Sequence, residues 1–213
     1  MMWLLGLLTL LAGPEPLARY EFEELPAEQT TRGLSGAAYV GGTGAGLPLP
    51  TAGLSLTAGS LSVWVQPLDW HGDDSFYHYF VTMKLGRAGY WLLYKNSSPG
   101  TGLFYGWDPD EAPGRRFNRS RSIVDWAPGA WHHLAATWLD QDRFELYLDG
   151  RRVGLGRGID LPDDRLLPAT LTVGQGQVNH PGRTAIDDLR LYRRALLPAE
   201  VLALYGERAE PAA

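Results

Sequence analysis

Apolar and polar residues alternate with a period of two along much of this chain, the pattern of half-buried β-strands. In Ser60–Pro67 (SLSVWVQP), Leu61, Val63 and Val65 share one face, with Ser62, Trp64 and Gln66 on the other. Trp131–Gly150 reads as two strands joined at the polar turn Asp140-Gln141-Asp142. His132, Leu134, Ala136 and Trp138 share one parity there, and Phe144, Leu146 and Leu148 resume the alternation after the turn. Asp149-Gly150 then supplies the positive-φ pair that a tight hairpin requires, leading into Arg151–Val153. Further short strands are predicted at Arg19–Glu24, Ala37–Val40, Phe76–Leu85, Tyr90–Lys95, Gly102–Trp107, Ser120–Val124, Ala169–Val173 and Thr184–Tyr192, with Gly, Pro, Asn and Asp between them. Pro198–Tyr205 is the one predicted helix, with Pro in its first turn and Val201, Leu204 and Tyr205 on one face. Runs of strands without interleaved helices predict an all-β fold: a two-sheet antiparallel β-sandwich of jelly-roll order with a short C-terminal helix.

Composition sharpens this picture. At 213 residues the chain fits one sandwich domain, set at residues 19–206 with 207–213 as a tail. A net charge of −5 argues against a nucleic-acid partner or a polybasic membrane contact. Cysteine is absent, which removes disulfides and thiolate metal sites, so the core must hold by apolar burial. Met1–Ala12 (MMWLLGLLTLLA) is an apolar run well short of the about 20 residues a transmembrane helix needs. Its length suits a secretory signal over residues 1–18, with small Ala18 at the cleavage site, although no Lys or Arg precedes Trp3. On that reading the mature chain is secreted, periplasmic or at the cell surface, with nothing inserted in a membrane. The other reading is a buried first strand or helix.

Three blocks in order carry a resemblance: WHHLAATW (residues 131–138) with LYLDG (146–150), then IDDLRLYRRAL (186–196), then the short terminal helix. Together they resemble the laminin-G-like jelly roll of the concanavalin-A-like lectin/glucanase superfamily, over roughly Arg19 to Tyr205. The resemblance speaks for the fold more than for the function, because one fold hosts many sites. It implies either a non-catalytic module that binds an extracellular glycan, or an adhesion domain for a cell-surface or matrix protein. A glycoside hydrolase is the third expectation. Retaining glycosidases need two carboxylates about 5–5.5 Å apart, and the closely spaced Glu-x-Asp cluster of the hydrolytic relatives is missing here. Glu145 and Asp149 share parity, but Asp149 opens the hairpin turn; Glu21 and Glu23 share a face on the first strand. No catalytic residue is therefore assigned.

In Thr184–Tyr192, Asp187 shares parity with Leu189 and Leu191 and is expected to point inward, where a carboxylate needs cations or hydrogen-bond donors. The resemblance implies a Ca²⁺ ion near this acid, with a second acid from the first strand. The matching position is Glu23, where the family more often has Asp. Calcium takes six to eight oxygen ligands, and backbone N–H groups are the alternative partners. Three polar, aromatic-bearing stretches, residues 69–74 (DWHGDD), 107–111 (WDPDE) and 177–180 (QVNH), form the candidate ligand site. An aromatic ring can stack on a sugar face while planar polar groups bond its hydroxyls. Trp70, His71, Asp73, Trp107, Asp108, Asn179 and His180 are the expected ligand-binding residues. Trp70 and Trp107 have a second reading as caps on the core.

Overall fold

The computed structural model describes residues 13–96, 102–108, 116–140, 142–157 and 163–208, with backbone alone for Asp108 and for 116–121. The expected leader run Met1–Ala12 and the end of the tail lie outside the described residues. In chain order the strands are β1 (Ala18–Tyr20), β2 (Thr30–Arg32), β3 (Ala37–Gly41), β4 (Leu47–Pro50), β5 (Ala58–Pro67), β6 (His78–Lys84) and β7 (Tyr90–Lys95). They continue with β8 (Gly102–Asp108), β9 (Arg116–Ser122), β10 (His132–Leu139), β11 (Arg143–Leu148), β12 (Arg151–Gly156), β13 (Thr170–Val173) and β14 (Thr184–Tyr192), followed by helix α1 (Pro198–Gly206). They form an eight-stranded sheet in the order β12-β11-β10-β5-β14-β3-β2, with β1 beside β14, and a six-stranded sheet in the order β4-β13-β6-β7-β8-β9. Every pairing is antiparallel. This is the β-sandwich that the alternation predicts.

The period-two pattern sets the two faces. Leu61, Val63 and Val65 of β5, Leu134, Ala136 and Trp138 of β10, and Phe144, Leu146 and Leu148 of β11 enter the core from one sheet. Phe80, Trp91, Leu93, Tyr105 and Val173 meet them from the other. The outer face of the larger sheet is covered by α1, whose Val201 and Leu204 pack with Ala135, Tyr147 and Tyr192. Trp64, on the opposite face of β5 from Val63, stacks on Tyr205 of that helix at 5.7 Å. The Asp149-Gly150 hairpin forms with φ of 48° and 73°, a backbone that glycine adopts without strain.

The first strand is shorter than predicted, because Phe22 takes φ 60° and turns the chain out of extension. Two edge strands escape the sequence pattern: β2, which is three residues long, and β4, which carries two prolines. β1 begins before the expected cleavage point: Ala18 pairs with Leu191, and the Leu17 N–H donates to Leu191 O at 2.7 Å. A cut after Ala18 would therefore remove both residues from the sheet. At the other end, the first tail residues are held, with Glu207 paired to Arg190 and Arg208 to Glu21.

Strand β14 departs from simple parity. Its register against β5 slips by one residue between Asp187 and Arg190, and Asp188 sits at φ 43°. This β-bulge resets the alternation, so Ile186, Leu189 and Leu191 all face the core. The expectation that Asp187 points with Leu189 and Leu191 fails for this reason. The bulge falls where the neighbour of β14 changes from β3, paired at Thr184–Ile186, to β1, paired at Leu189–Leu191. Asp187 and Asp188 fill the gap in the ladder: Asp187 Oδ2 accepts the Leu34 N–H at 2.9 Å, and Asp188 Oδ1 accepts Arg19 Nε–H at 2.9 Å. The Leu34 backbone donor thus finds a carboxylate oxygen in place of a strand partner, and the Arg19 guanidinium pairs with the second acid.

Candidate functional site

Two loops leave the ends of central strands side by side. The chain after β5 (residues 68–77) and the chain before β14 (176–183) run together because Leu68 N–H donates to Arg183 O at 2.9 Å. Asp69 then clamps Arg183 twice, accepting its backbone N–H at 2.6 Å and its Nε–H at 2.7 Å. Glycines fix the third wall: Gly42 N–H donates to Gly174 O at 2.8 Å and Gly176 N–H to Gly44 O at 3.0 Å. The Cβ of any other residue at Gly41 would come within 2.5 Å of the Gly174 Cα, so this close backbone approach requires glycine. Between these segments lies a groove of about 730 Å³, which shares Asp69, Pro181 and Gly182 as walls with an adjoining hollow of about 460 Å³.

Beneath the groove the 71–77 loop is tied by charges. Lys95 is fully buried, and its ammonium donates to Asp74 O at 2.6 Å, to Phe76 O at 3.0 Å and to the Asp74 carboxylate. Asp74 Oδ2 meets His78 Nε2 at 2.8 Å. Burial works to raise the Asp74 carboxyl, but hydrogen bonds from Lys95 and His78 outweigh it and hold the group below its ordinary value. Burial lowers His78 and Lys95 in turn, with Asp74 opposing in both cases. On the rim, His180 Nδ1 accepts the Tyr77 N–H at 3.1 Å, which leaves Nε2 as the ring's donor nitrogen.

Asn179 and His180 line the groove, and His71 and Asp73 line the adjoining hollow; of the four, His71, Asp73 and Asn179 are exposed. Trp70 borders the adjoining hollow but is buried. Its indole is 3% exposed, stacks on His78 at 4.0 Å and 12°, and donates Nε1–H to Thr184 Oγ1 at 3.0 Å. A ring so little exposed offers no face for a sugar to stack on, so Trp70 serves as a wall of the core, the second of its two expected readings. Trp107 and Asp108 are elsewhere. They pair with Trp91 and Tyr90, beside the β6–β7 turn, and Trp107 Nε1–H donates to Ala88 O at 2.6 Å. The groove lies at the start of β6 and that turn at its end, about 20 Å away at about 3.3 Å per residue. The single site expected from the three loops therefore divides, and only two loops share the groove. Asp69 and Gln177, inside two of the expected stretches, line it as well, and Thr43 and Arg183 line it without having been expected. The glycine-rich stretch 33–46 was the signal for the third wall.

The two acids expected at calcium, Asp187 and Glu23, both serve the turn ahead of β3. Asp187 accepts the N–H groups of Leu34 and Asp188, and Glu23 accepts the Ala37 N–H at 3.1 Å. Among the described residues no three His, Cys, Asp or Glu side chains gather as ligands. As placed, these carboxylates fit N–H donors and not a metal. Burial raises the Asp187 carboxyl to about 6, against the pull of its two N–H donors. The expected result is that chelator leaves the melting temperature unchanged, whereas a bound ion at 100 times its Kd would add about 2.7 kcal/mol. A drop in melting temperature on chelation, restored by Ca²⁺, would restore the metal reading.

Residues 41–202 match the Laminin_G_3 family, described as the concanavalin A-like lectin/glucanases superfamily. Domain 4 of the extracellular arabinanase AbnA from Geobacillus stearothermophilus, solved in complex with arabinotriose, is 26% identical over 83% of this chain and 80% of that one, with a TM-score of 0.60. The binding domain of Paraclostridial Mosquitocidal Protein 1 superposes with a TM-score of 0.65 at 14% identity, covering 84% of this chain and 45% of that one, a likeness of fold alone. The human adhesion G protein-coupled receptor D2 is 36% identical over 88 residues, which are 35% of this chain and 9% of the receptor. The chain thus spans less than half of the mosquitocidal binding domain and under a tenth of the receptor. By its name, the mosquitocidal protein's domain is a binding domain.

Proposed function

Because the chain belongs to the Laminin_G_3 family of the concanavalin A-like lectin/glucanases superfamily, we propose that it is a non-catalytic recognition module that binds an extracellular glycan in the groove between residues 68–77 and 176–183. The observation that carries this reading is the convergence of His71, Asp73, Asn179 and His180, four planar polar side chains, around a floor of proline and glycine. Planar groups of this kind bond vicinal hydroxyls, and the Pro181 ring offers an apolar face. The arabinotriose in the arabinanase domain supports a sugar at this fold. Binding without hydrolysis is supported by the state of the carboxylates. Asp69 is bound to Arg183 and Asp74 to Lys95 and His78, which leaves Asp73 without the second acid that glycoside hydrolysis needs. Glu145 is 3% exposed and held by Tyr147, Arg143 and Arg152. Export by the Met1–Ala12 run belongs to the same proposal, and N-terminal sequencing of exported protein tests it; a chain still beginning at Met1 would contradict it.

A small polar groove gives weak affinity, on the order of 10⁻³ to 10⁻⁵ M per site. His71→Ala and Asn179→Gly should each weaken glycan binding by about tenfold, the worth of one or two good hydrogen bonds, while the melting temperature stays within a few degrees. Glycine is the right replacement for Asn179, whose φ is 63°. Titration calorimetry against hits from a glycan array measures this. If the intact protein gives no hit, the protein-binding reading takes over; Val178, 85% exposed at the tip of the 177–180 turn, and the adhesion-receptor match favour it as the alternative.

A further inference from the structure

The charges around the groove are arranged against anions, and we propose that the site selects neutral, hydroxyl-rich oligosaccharides and rejects sialylated, uronate or sulfated ones. This inference rests on the glycan reading and gives it a ligand class. Among the described residues the groove and its floor bring together three carboxylates, Asp69, Asp73 and Asp74, and two cations, Arg183 and Lys95. Lys95 is 0% exposed, with its ammonium spent on Asp74 and Phe76. Arg183 is exposed, and its charge is balanced by Asp69, which holds it through Nε. Asp73 is exposed with no ion pair among the described residues, so the net charge that remains is negative. Its repulsion acts on any ligand carboxylate or sulfate in the groove.

Many of the backbone donors around the groove are already spent. Anions are often held by free N–H groups of glycine-rich turns, and this groove has glycines in abundance. Yet the N–H of Gly42 is given to Gly174 O, that of Gly72 to Trp126 O, that of Gly174 to Phe80 O and that of Gly176 to Gly44 O. The Arg183 N–H is taken by Asp69 and the Tyr77 N–H by His180. The side chains the groove presents are Asp73, the amides of Gln177 and Asn179, the imidazoles of His71 and His180, and the Asp69–Arg183 pair, in which the two charges cancel. These groups donate to and accept from hydroxyls without needing a charge.

The test compares neutral probes with counterparts that carry an added acidic group or acidic sugar: lactose with 3′-sialyllactose, and arabinotriose or other neutral array hits with sulfated counterparts. Wild-type protein should bind each neutral member at least about fivefold more tightly than its anionic partner, with the gap closing at high salt. Asp73→Asn should narrow the gap. Asp69→Asn should narrow it further or reverse it, because the amide oxygen still accepts the Arg183 backbone N–H while the guanidinium is released to the ligand. Equal or tighter binding of the anionic probes by wild-type protein would overturn the charge selection and leave the glycan reading standing. So would a gap that neither Asp variant alters. No binding of either member of any pair overturns the glycan reading, and the selection with it.

Discussion

Trp70→Ala is expected to lower the stability of the domain by about 3–5 kcal/mol, as truncation of a core aromatic does. The indole is buried, faces His78 at 4.0 Å, and has Phe80 and Trp126 within 6.4 Å and 6.1 Å. Its removal opens a cavity at the end of the sandwich and leaves the Thr184 hydroxyl without the Nε1–H that it now accepts. The same cavity undermines the groove, since His78 and Asp74 are braced from that side. Denaturant unfolding should show the loss as a lower midpoint, and glycan binding should fail in proportion to the unfolded fraction. Trp70→Phe separates the two effects: it keeps most of the packing, so it should recover most of the stability and keep ligand affinity. A Trp70→Ala protein of unchanged stability with selectively lost binding would mean that the ring is a sugar platform after all.

The misreading of Trp70 has a physical cause. Its neighbours Asp69, His71, Asp73 and Asp74 are polar because they belong to a loop, and a stretch of loop composition carries no periodicity to say which single side chain turns inward. Where the chain is regular, the faces were legible. The alternation in β5 separates Leu61, Val63 and Val65 from Trp64, and the structure places the first three in the core and the last under α1. Asp149-Gly150 marks its hairpin by turn chemistry alone. In β14 the alternation misleads, because a bulge adds one residue at an Asp-Asp pair that fits either register. Trp107 was grouped with the groove loops by composition, and only the pairing of β6, β7 and β8 reveals that it sits at the far end of the sheet. Loop identity was readable from the residues; loop adjacency depends on topology.

Opposed titrations should keep stability nearly level between about pH 6.5 and 4, and single variants should expose them. His133 is fully buried, hydrogen-bonded to Ser62 at 2.8 Å and packed against Trp64 and Tyr205. Burial depresses it from 6.5 to about 4. The unfolded chain therefore takes up a proton first as pH falls through this range, and the fold loses about 3 kcal/mol. Asp187 does the reverse. Burial outweighs its two N–H donors and raises it from 3.8 to about 6, so its contribution is complete at low pH and is lost as pH rises through 6, again by about 3 kcal/mol. The two slopes have opposite sign over almost the same window. His78, lowered by burial, adds modestly to the side of His133. Asp74, Asp188 and Glu145 are all held below their ordinary values, so their stabilisation disappears only at lower pH. Asp187→Asn removes one of the two main terms, and its stability should fall steeply, by about 3 kcal/mol, from pH 6.5 to 4. His133→Gln removes the other, and its stability should rise over the same interval. Denaturant titrations at several pH values measure both slopes. An Asp187→Asn profile parallel to wild type would show that Asp187 ionises as an ordinary surface acid, and that the bulge in β14 tolerates its charge without cost.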